Sequence, residues 1–132
     1  MPTINNLKES KYILVTGAAG FIGFHTAKFE MEKGNYVIGV DNLNQYYDVK
    51  IKKDRLKILK KYKNFLFFKD DLNNKNFYKK LKKYFSDIDV VIHLAGQAGV
   101  RYSIKNPETY IVNNVLAYIK LLEFFKFSKK LK

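Results

Sequence analysis

The chain has 132 residues, 47% of them hydrophobic, with no cysteine and two histidines. That suits one domain with its own core, and it excludes wholesale disorder, disulfides, thiolate chemistry and a histidine-rich metal cluster. The net charge of +13 comes from 25 basic against 12 acidic residues, yet only Arg55 and Arg101 are arginine, which argues against a nucleic-acid reader, since base edges and phosphates favour arginine.

Short apolar runs alternate with helical stretches along the whole chain. Lys11–Thr16 (KYILVT) reads as a buried strand. Phe21–Lys33 has helical spacing and stops at Gly34-Asn35, a natural C-terminal signal. Tyr36–Asp41 (YVIGVD) is a second strand, followed by a polar loop over Asn42–Tyr47 and a basic helix over about 48–62. Phe65–Lys69 (FLFFK) is a third strand. Asn74–Phe85 is a helix with Phe77, Leu81 and Phe85 on one face. Asp89–Leu94 (DVVIHL) is a fourth strand, and after a loop Pro107 opens a long helix to about Phe127. The order βαβαβαβα with continuously apolar strands predicts an α/β fold. It is a partial Rossmann-like, doubly wound parallel sheet of four strands in the order 3-2-1-4 with flanking helices.

The lysines gather at 50–63, 79–83 and 126–132 and read as solvated helix faces and a helix end. The richness in Lys, Asn, Ile, Phe and Tyr matches what AT-rich codons specify, and no RNP, zinc-finger or basic-zipper pattern is present. No run approaches the roughly 18–20 apolar residues of a membrane helix. Met1–Lys11 is polar and lacks a signal-peptide core. A reducing, cytoplasmic setting is the expectation.

The strongest chemical signal is Thr16-Gly17-Ala18-Ala19-Gly20-Phe21-Ile22-Gly23, between the first strand and the first helix. Gly17 permits the tight turn, Gly20 leaves the backbone open to a pyrophosphate, and Gly23 lets the helix pack close to the strand. Unpaired amides of the first helical turn and the helix dipole favour an anion, the dipole by about 0.3–1 kcal/mol when exposed and up to about 2 kcal/mol when partly buried. A glycine triplet alone is weak. Here a strand precedes it, a helix follows, and an acid, Asp41, ends the next strand 18 residues past Gly23. That carboxylate suits the two adenosine ribose hydroxyls and would repel a 2′-phosphate, so NAD(H) is expected over NADP(H). No Gly-Lys-Ser/Thr follows, which argues against a P-loop.

With its Gly-x-x-Gly-x-x-Gly spacing, the sequence resembles the extended short-chain dehydrogenase/reductases, the NAD-dependent epimerases and dehydratases of sugar nucleotides. Within them it is most similar to the UDP-glucuronate 4-epimerases. Three further segments carry the resemblance: Asp41-Asn42-Leu43-Asn44-Gln45-Tyr46-Tyr47-Asp48, His93 to Ser103 (HLAGQAGVRYS), and Asn106-Pro107 with Tyr110 and Asn113. It spans Lys11 to about Glu123. The resemblance implies backbone contacts to the pyrophosphate from Phe21 and Ile22, a ribose and adenine loop over Asp41–Asp48 that contacts the cofactor through Asp41, Asn42 and Leu43, and Asp71 and Leu72 along the adenine. It also implies that Leu94, Ala95, Gly96 and Gln97 line the nicotinamide half, and that Asn113 contacts the cofactor or holds the loop that does. Arg101 and Ser103 are candidates for a sugar-nucleotide contact. Beside this stand plainer readings. Asp71 would cap the helix after it, His93 and His25 would be packed structural histidines, and Phe124, Phe125 and Phe127 would form packing surface.

The family's reaction also needs a tyrosine general base with a lysine four residues on. By the resemblance this pair lies beyond the stretch seen here. Tyr46–Lys50 and Tyr78–Lys82 have that spacing, but about two such strings are expected by chance from this composition, and both precede the fourth strand. Tyr78–Lys82 reads as a solvated helix face. The expectation is therefore a single NAD-binding domain over 1–132, ending before a fifth strand and without the acid/base pair or the substrate half. Such a domain is an inactive N-terminal fragment of a nucleotide-sugar epimerase, with a second copy or a complementing half as partner. The alternatives are a non-catalytic dinucleotide-binding module and a basic nucleic-acid-binding domain. An exposed edge at the fourth strand and a wet Phe124–Phe127 surface would leave the chain marginally stable or partner-dependent.

Overall fold

Strands β1 (Tyr12–Thr16) and β2 (Tyr36–Asp41) are buried almost along their whole length, because their side chains alternate between two separate apolar layers. Ile13, Val15 and Val37 face one layer, where they meet Ala27 and Met31 of helix α1 (Phe21–Glu32) and Leu56 and Leu59 of helix α2 (Val49–Leu59). Leu14, Ile38 and Val40 face the other layer, with Phe77 and Leu81 of helix α3 (Lys75–Leu81) and Ala117, Leu121 and Phe125 of a helix near the C-terminal end. The computed structural model describes residues 9–131. The polar stretch 1–8, most of the segment read as lacking a signal-peptide core, lies outside the described residues, as does Lys132.

The sheet is parallel throughout, in the order β3-β2-β1-β4, with β3 at Phe65–Lys69 and β4 at Ile88–His93. This is the expected order. β3 and β4 are edges, however, and their residues are mostly half-buried. An apolar run thus implies burial on both faces only at the centre of so small a sheet.

Local signals set the helix ends. α1 closes with Gly34 at φ +87°, its amide bonded to the Met31 carbonyl and that of Asn35 to the Glu30 carbonyl, the paired bonds of a left-handed C-cap. Asp48 caps α2 through the Lys50 amide at 2.8 Å. Asn74 caps α3 through the Asn76 amide at 3.0 Å, so the cap is Asn74 and not Asp71. α3 is shorter than its apolar spacing suggests and tightens into a 3-10 turn at Lys82–Tyr84.

Two differences concern the C-terminal part. A helix absent from the sequence reading, α4 (Val100–Lys105), follows β4; it buries none of its residues, so no apolar face announces it. The long helix opens at Pro107 as expected but is not uniform. It runs as α5 (Pro107–Tyr110), widens to i→i+5 bonding over Ile111–Leu116, and resumes as α6 (Ala117–Phe125). Phe125 is buried and Phe124 half-buried against Tyr78 and Phe85, leaving only Phe127 of that cluster exposed. The wet apolar surface lies earlier on the helix, at Ile111, Val115, Ile119 and Leu122. Lys52 departs from its solvated neighbours, being 5% exposed.

The turn from β1 into α1 leaves no room for side chains at two of its glycines. Gly17 has φ +70°, and a Cβ there would meet the Ala95 amide nitrogen at 2.9 Å. A Cβ on Gly23 would overlap the Gly17 carbonyl oxygen, so Gly23 seats the helix on the glycine turn itself rather than on the strand. Gly23→Ala should destabilise the fold by at least about 1–3 kcal/mol, despite the roughly 1 kcal/mol that alanine gains in helix propensity. Chemical denaturation of both proteins reads this directly, and an equal or higher midpoint for the variant would contradict it.

Candidate functional site

The four strands end level with one another, since Thr16 pairs with Val40 and His93, and Asp41 with Lys69. The segments leaving those ends surround an open crevice of about 190 Å3. The chain leaves β1 to one side for β2 and β3 and returns to the other side for β4; ligands of open α/β sheets bind where the order reverses.

The glycine turn forms the floor. The amides of Gly17 and Ala18 donate to the Val40 carbonyl, that of Ala19 to Asp41 Oδ2 at 3.1 Å, and that of Gly20 to the Gly17 carbonyl. Helix bonding begins with the Phe24 amide on the Gly20 carbonyl at 2.9 Å. Phe21, Ile22 and Gly23 therefore carry the amides that no helical carbonyl can reach, and among the described residues no side chain caps this end. The side chains of Phe21 and Ile22 are exposed, outside the crevice. What these residues can offer an anion is backbone.

Asp41 is 8% exposed. Its Oδ2 takes the Ala19 amide and its Oδ1 the Leu43 amide at 2.8 Å, which holds Leu43 at φ +54°. A carboxylate has about four lone-pair directions, so each oxygen keeps one free. Lys52 Nζ stands 4.0 Å from Oδ1, donates to both oxygens of Asn44, and lies over the Tyr47 ring. Burial pushes the Lys52 ammonium below the ordinary lysine range, with Asp41 opposing and Arg55 adding to the shift. Arg55 donates to the Ala19 carbonyl and the Tyr47 hydroxyl.

The segment after β3 joins this side. Asn42 donates to Asp71 Oδ2 at 3.0 Å, and Asp71 Oδ1 accepts the Asn73 amide at 2.7 Å. Leu72 is buried in the core with one side on the crevice.

On the opposite wall, Leu94, Ala95, Gly96 and Gln97 all line the crevice, as does Asn113. Asn114 holds this wall. Its Oδ1 accepts the Gln97 amide at 2.6 Å and its Nδ2 donates to the Gln97 carbonyl at 3.0 Å. Of the two roles expected of Asn113, holding the loop belongs to its neighbour. Both asparagines sit where the helix widens, a distortion frequent at functional sites. At the start of this wall the Thr16 hydroxyl contacts His93 Nδ1 and the amides of Leu94 and Ala95.

Of the expected site residues, Gly17, Gly20, Asp41, Asn42, Asp71, Leu72, Leu94, Ala95, Gly96, Gln97 and Asn113 meet in one crevice. Gly23 lies beneath it and Leu43 packs beside the core. Arg101 and Ser103 fall on α4, outside the lining; Ser103 Oγ donates to the Val100 carbonyl. The crevice also takes Asn44, Tyr46 and Tyr47 from the expected ribose and adenine loop, and Lys52, which no signal in the sequence marks as a site residue. Tyr46 packs edge-on to Tyr102, and Tyr110 donates to the carbonyls of Ala98 and Gly99, so aromatic rings bridge the two walls. Tyr78 is no solvated tyrosine: its hydroxyl donates to the Leu72 carbonyl at 2.7 Å, its ring packs on Phe77 and Phe124, and burial raises its pKa.

Comparison with known proteins agrees with this architecture. Protein CapI of Staphylococcus aureus is 53% identical over 113 residues, 84% of this chain and 33% of that protein. The UDP-glucuronate 4-epimerase of Thermodesulfobacterium geofontis is 47% identical over 115 residues, 87% of this chain and 35% of that protein. The crystal structure of UDP-glucuronic acid 4-epimerase from Bacillus cereus, in complex with UDP-glucuronic acid and NAD, superposes with a TM-score of 0.82 at 36% identity, over 92% of this chain and 38% of that one. The chain thus spans about a third of the length of the curated relatives it matches. The family model for GDP-mannose 4,6 dehydratase matches residues 14–132, essentially the whole crevice and both core layers, and the chain belongs to that family.

Proposed function

We propose that this chain binds NAD(H) in the crevice and constitutes the N-terminal, cofactor-binding part of a nucleotide-sugar epimerase of the UDP-glucuronate 4-epimerase type. The observation that carries this is the glycine turn, which lines one cleft with the buried Asp41 carboxylate through Gly17 and Gly20 and leads directly into the uncapped first turn of α1. The amides and the helix dipole suit a diphosphate. Asp41 offers its two free lone pairs to the adjacent ribose hydroxyls and disfavours a 2′-phosphate. Asp71 and Leu72 border the adenine side, and Leu94, Ala95, Gly96, Gln97 and Asn113 border the nicotinamide side. The glycine turn fits such a group, since Gly20 presents no side chain to the crevice it lines. NAD, when bound, supplies the hydride acceptor for oxidation of a sugar hydroxyl.

These 132 residues hold the cofactor without turning over a sugar. Of the two Tyr-x-x-x-Lys strings, Tyr78 is locked into the core and Lys82 is exposed, while Tyr46 lines the crevice and Lys50 does not. A proton-transfer group must reach its substrate before its acidity matters. The single domain over 1–132 therefore acts as a dinucleotide module, completed by a second chain or by the remainder of an epimerase. Two surfaces suit such a partner: the edge of β4, unpaired among the described residues, and the apolar stripe Ile111, Val115, Ile119 and Leu122.

Titration calorimetry should show NAD+ binding, weakened by roughly 2–4 kcal/mol in Asp41→Ala as two charge-assisted bonds disappear. RNA binding with steep salt dependence and no NAD+ binding would replace this reading with the nucleic-acid one. Incubation of the chain alone with UDP-glucuronate and NAD+ should yield no epimer, and any measurable conversion would overturn the claim of inactivity. Sedimentation velocity should find the free chain self-associating, and Ile119→Lys should reduce that association while leaving NAD+ affinity unchanged. An unaltered sedimentation profile would show that the stripe is not the contact.

A further inference from the structure

At the C-terminal end of β1, proton positions follow from counting donors and acceptors. Thr16 has no solvent exposure, so water does not complete the bonding of its hydroxyl. Oγ1 lies 2.7 Å from His93 Nδ1, 3.1 Å from the Ala95 amide nitrogen and 3.0 Å from that of Leu94, whose proton it shares with the Thr16 carbonyl at 3.2 Å. Both amides can only donate. A hydroxyl has two acceptor directions and one proton. With both directions taken, the hydroxyl proton has one partner left, His93 Nδ1. That nitrogen must accept, which places the ring proton on Nε2. A proton on Nδ1 would put a third donor on the same oxygen and strand the hydroxyl proton in a buried place.

We infer that His93 is a positioning residue. As the neutral Nε2–H tautomer it orients the Thr16 hydroxyl, which in turn pins the Leu94 and Ala95 amides at the root of the wall opposite Asp41. Two further contacts support this arrangement. The ring of Tyr118, on α6, stacks on the imidazole at 5.4 Å and 14°, fixing its plane. A Cβ on Gly17 would strike the Ala95 backbone, so a shift of the pinned segment moves against the glycine turn. Tyr118 is the titratable group on the ring. Burial holds the imidazole below its ordinary range, with no charged neighbour contributing. The folded state thus binds a proton on His93 less readily than the unfolded chain does. The stabilisation is complete above the ordinary histidine pKa and is lost as pH falls through that value toward the folded one.

The tautomer stands independently of the proposed function; its consequence for the cofactor rests on Leu94–Gln97 bordering the nicotinamide half. The first test uses the unaltered chain. Long-range 15N–1H correlation spectra at about pH 7 should show His93 Nδ1 as an unprotonated acceptor. On acidification the Leu94 and Ala95 amide resonances should shift with the same midpoint as the ring. An Nδ1–H tautomer or an imidazolium at that pH, or amides indifferent to the ring's titration, would overturn the inference. The second test is calorimetry on Thr16→Val and His93→Phe, with NAD+ and ADP as ligands. The NAD+ dissociation constant should rise by about tenfold while that for ADP stays within about twofold. Equal weakening of both ligands, or of neither, would refute the positioning role. Failure of the unaltered chain to bind NAD+ would remove the proposed function and leave the spectroscopic result to decide the tautomer.

Discussion

Backbone touching backbone, with no room for a Cβ, is the constraint on which this structure rests. Gly17, in a left-handed conformation, lies against Ala95, and Gly23 lies against Gly17. Two segments distant in the sequence, the turn that opens α1 and the chain leaving β4, thereby converge at the end of β1. The convergence sets the start of α1 beside the crevice that Gly17 and Gly20 line, and the amides of Phe21 and Ile22 have no helical carbonyl as partner, a vacancy that a polar ligand can fill. A side chain at either glycine would separate these segments and lose both the packing of α1 and the alignment of its dipole.

Much of the fold was legible because it depends on local and periodic signals. The bounds of β2 and β3 match the apolar runs residue for residue, and Gly34-Asn35 ends α1 through bonds that its left-handed glycine makes possible. The strand order followed from the βα alternation. The glycine turn and Asp41 were legible for a different reason: they follow the ends of two strands that are neighbours in a parallel sheet, and such ends lie side by side, so the structure brings them to one crevice.

What escaped the sequence reading depends on tertiary contacts that leave no pattern in the chain. α4 has no buried face and so no periodicity. Asn113 and Asn114 look alike in sequence, and only the widened helical turn decides that one lines the crevice while the other grips Gln97. Lys52 sits in a run of lysines that are otherwise solvated; its burial comes from the folding back of the Asn44–Tyr47 segment, whose oxygens and ring receive the ammonium. Tyr78 was read as solvated from its lysine neighbours, but on a helix the neighbours that matter are three and four residues away or on another element, here Leu72 and Phe124.

The crevice walls are braced by side-chain hydrogen bonds, all but the last of which cross between segments leaving different strands. Asp41 reaches the glycine turn, Asn42 reaches Asp71, Thr16 reaches Leu94 and Ala95, and Asn114 reaches Gln97. Each fixes a loop that would otherwise have to be ordered by its ligand. The entropy of ordering these loops is thus lost on folding and not on binding, which leaves more of the contact energy available for affinity. The arrangement also explains why Asp41 is buried although its proposed partner is a sugar hydroxyl. A carboxylate that spends one lone pair of each oxygen on the backbone is held in a single orientation, and its remaining acceptor directions are aimed before any ligand arrives.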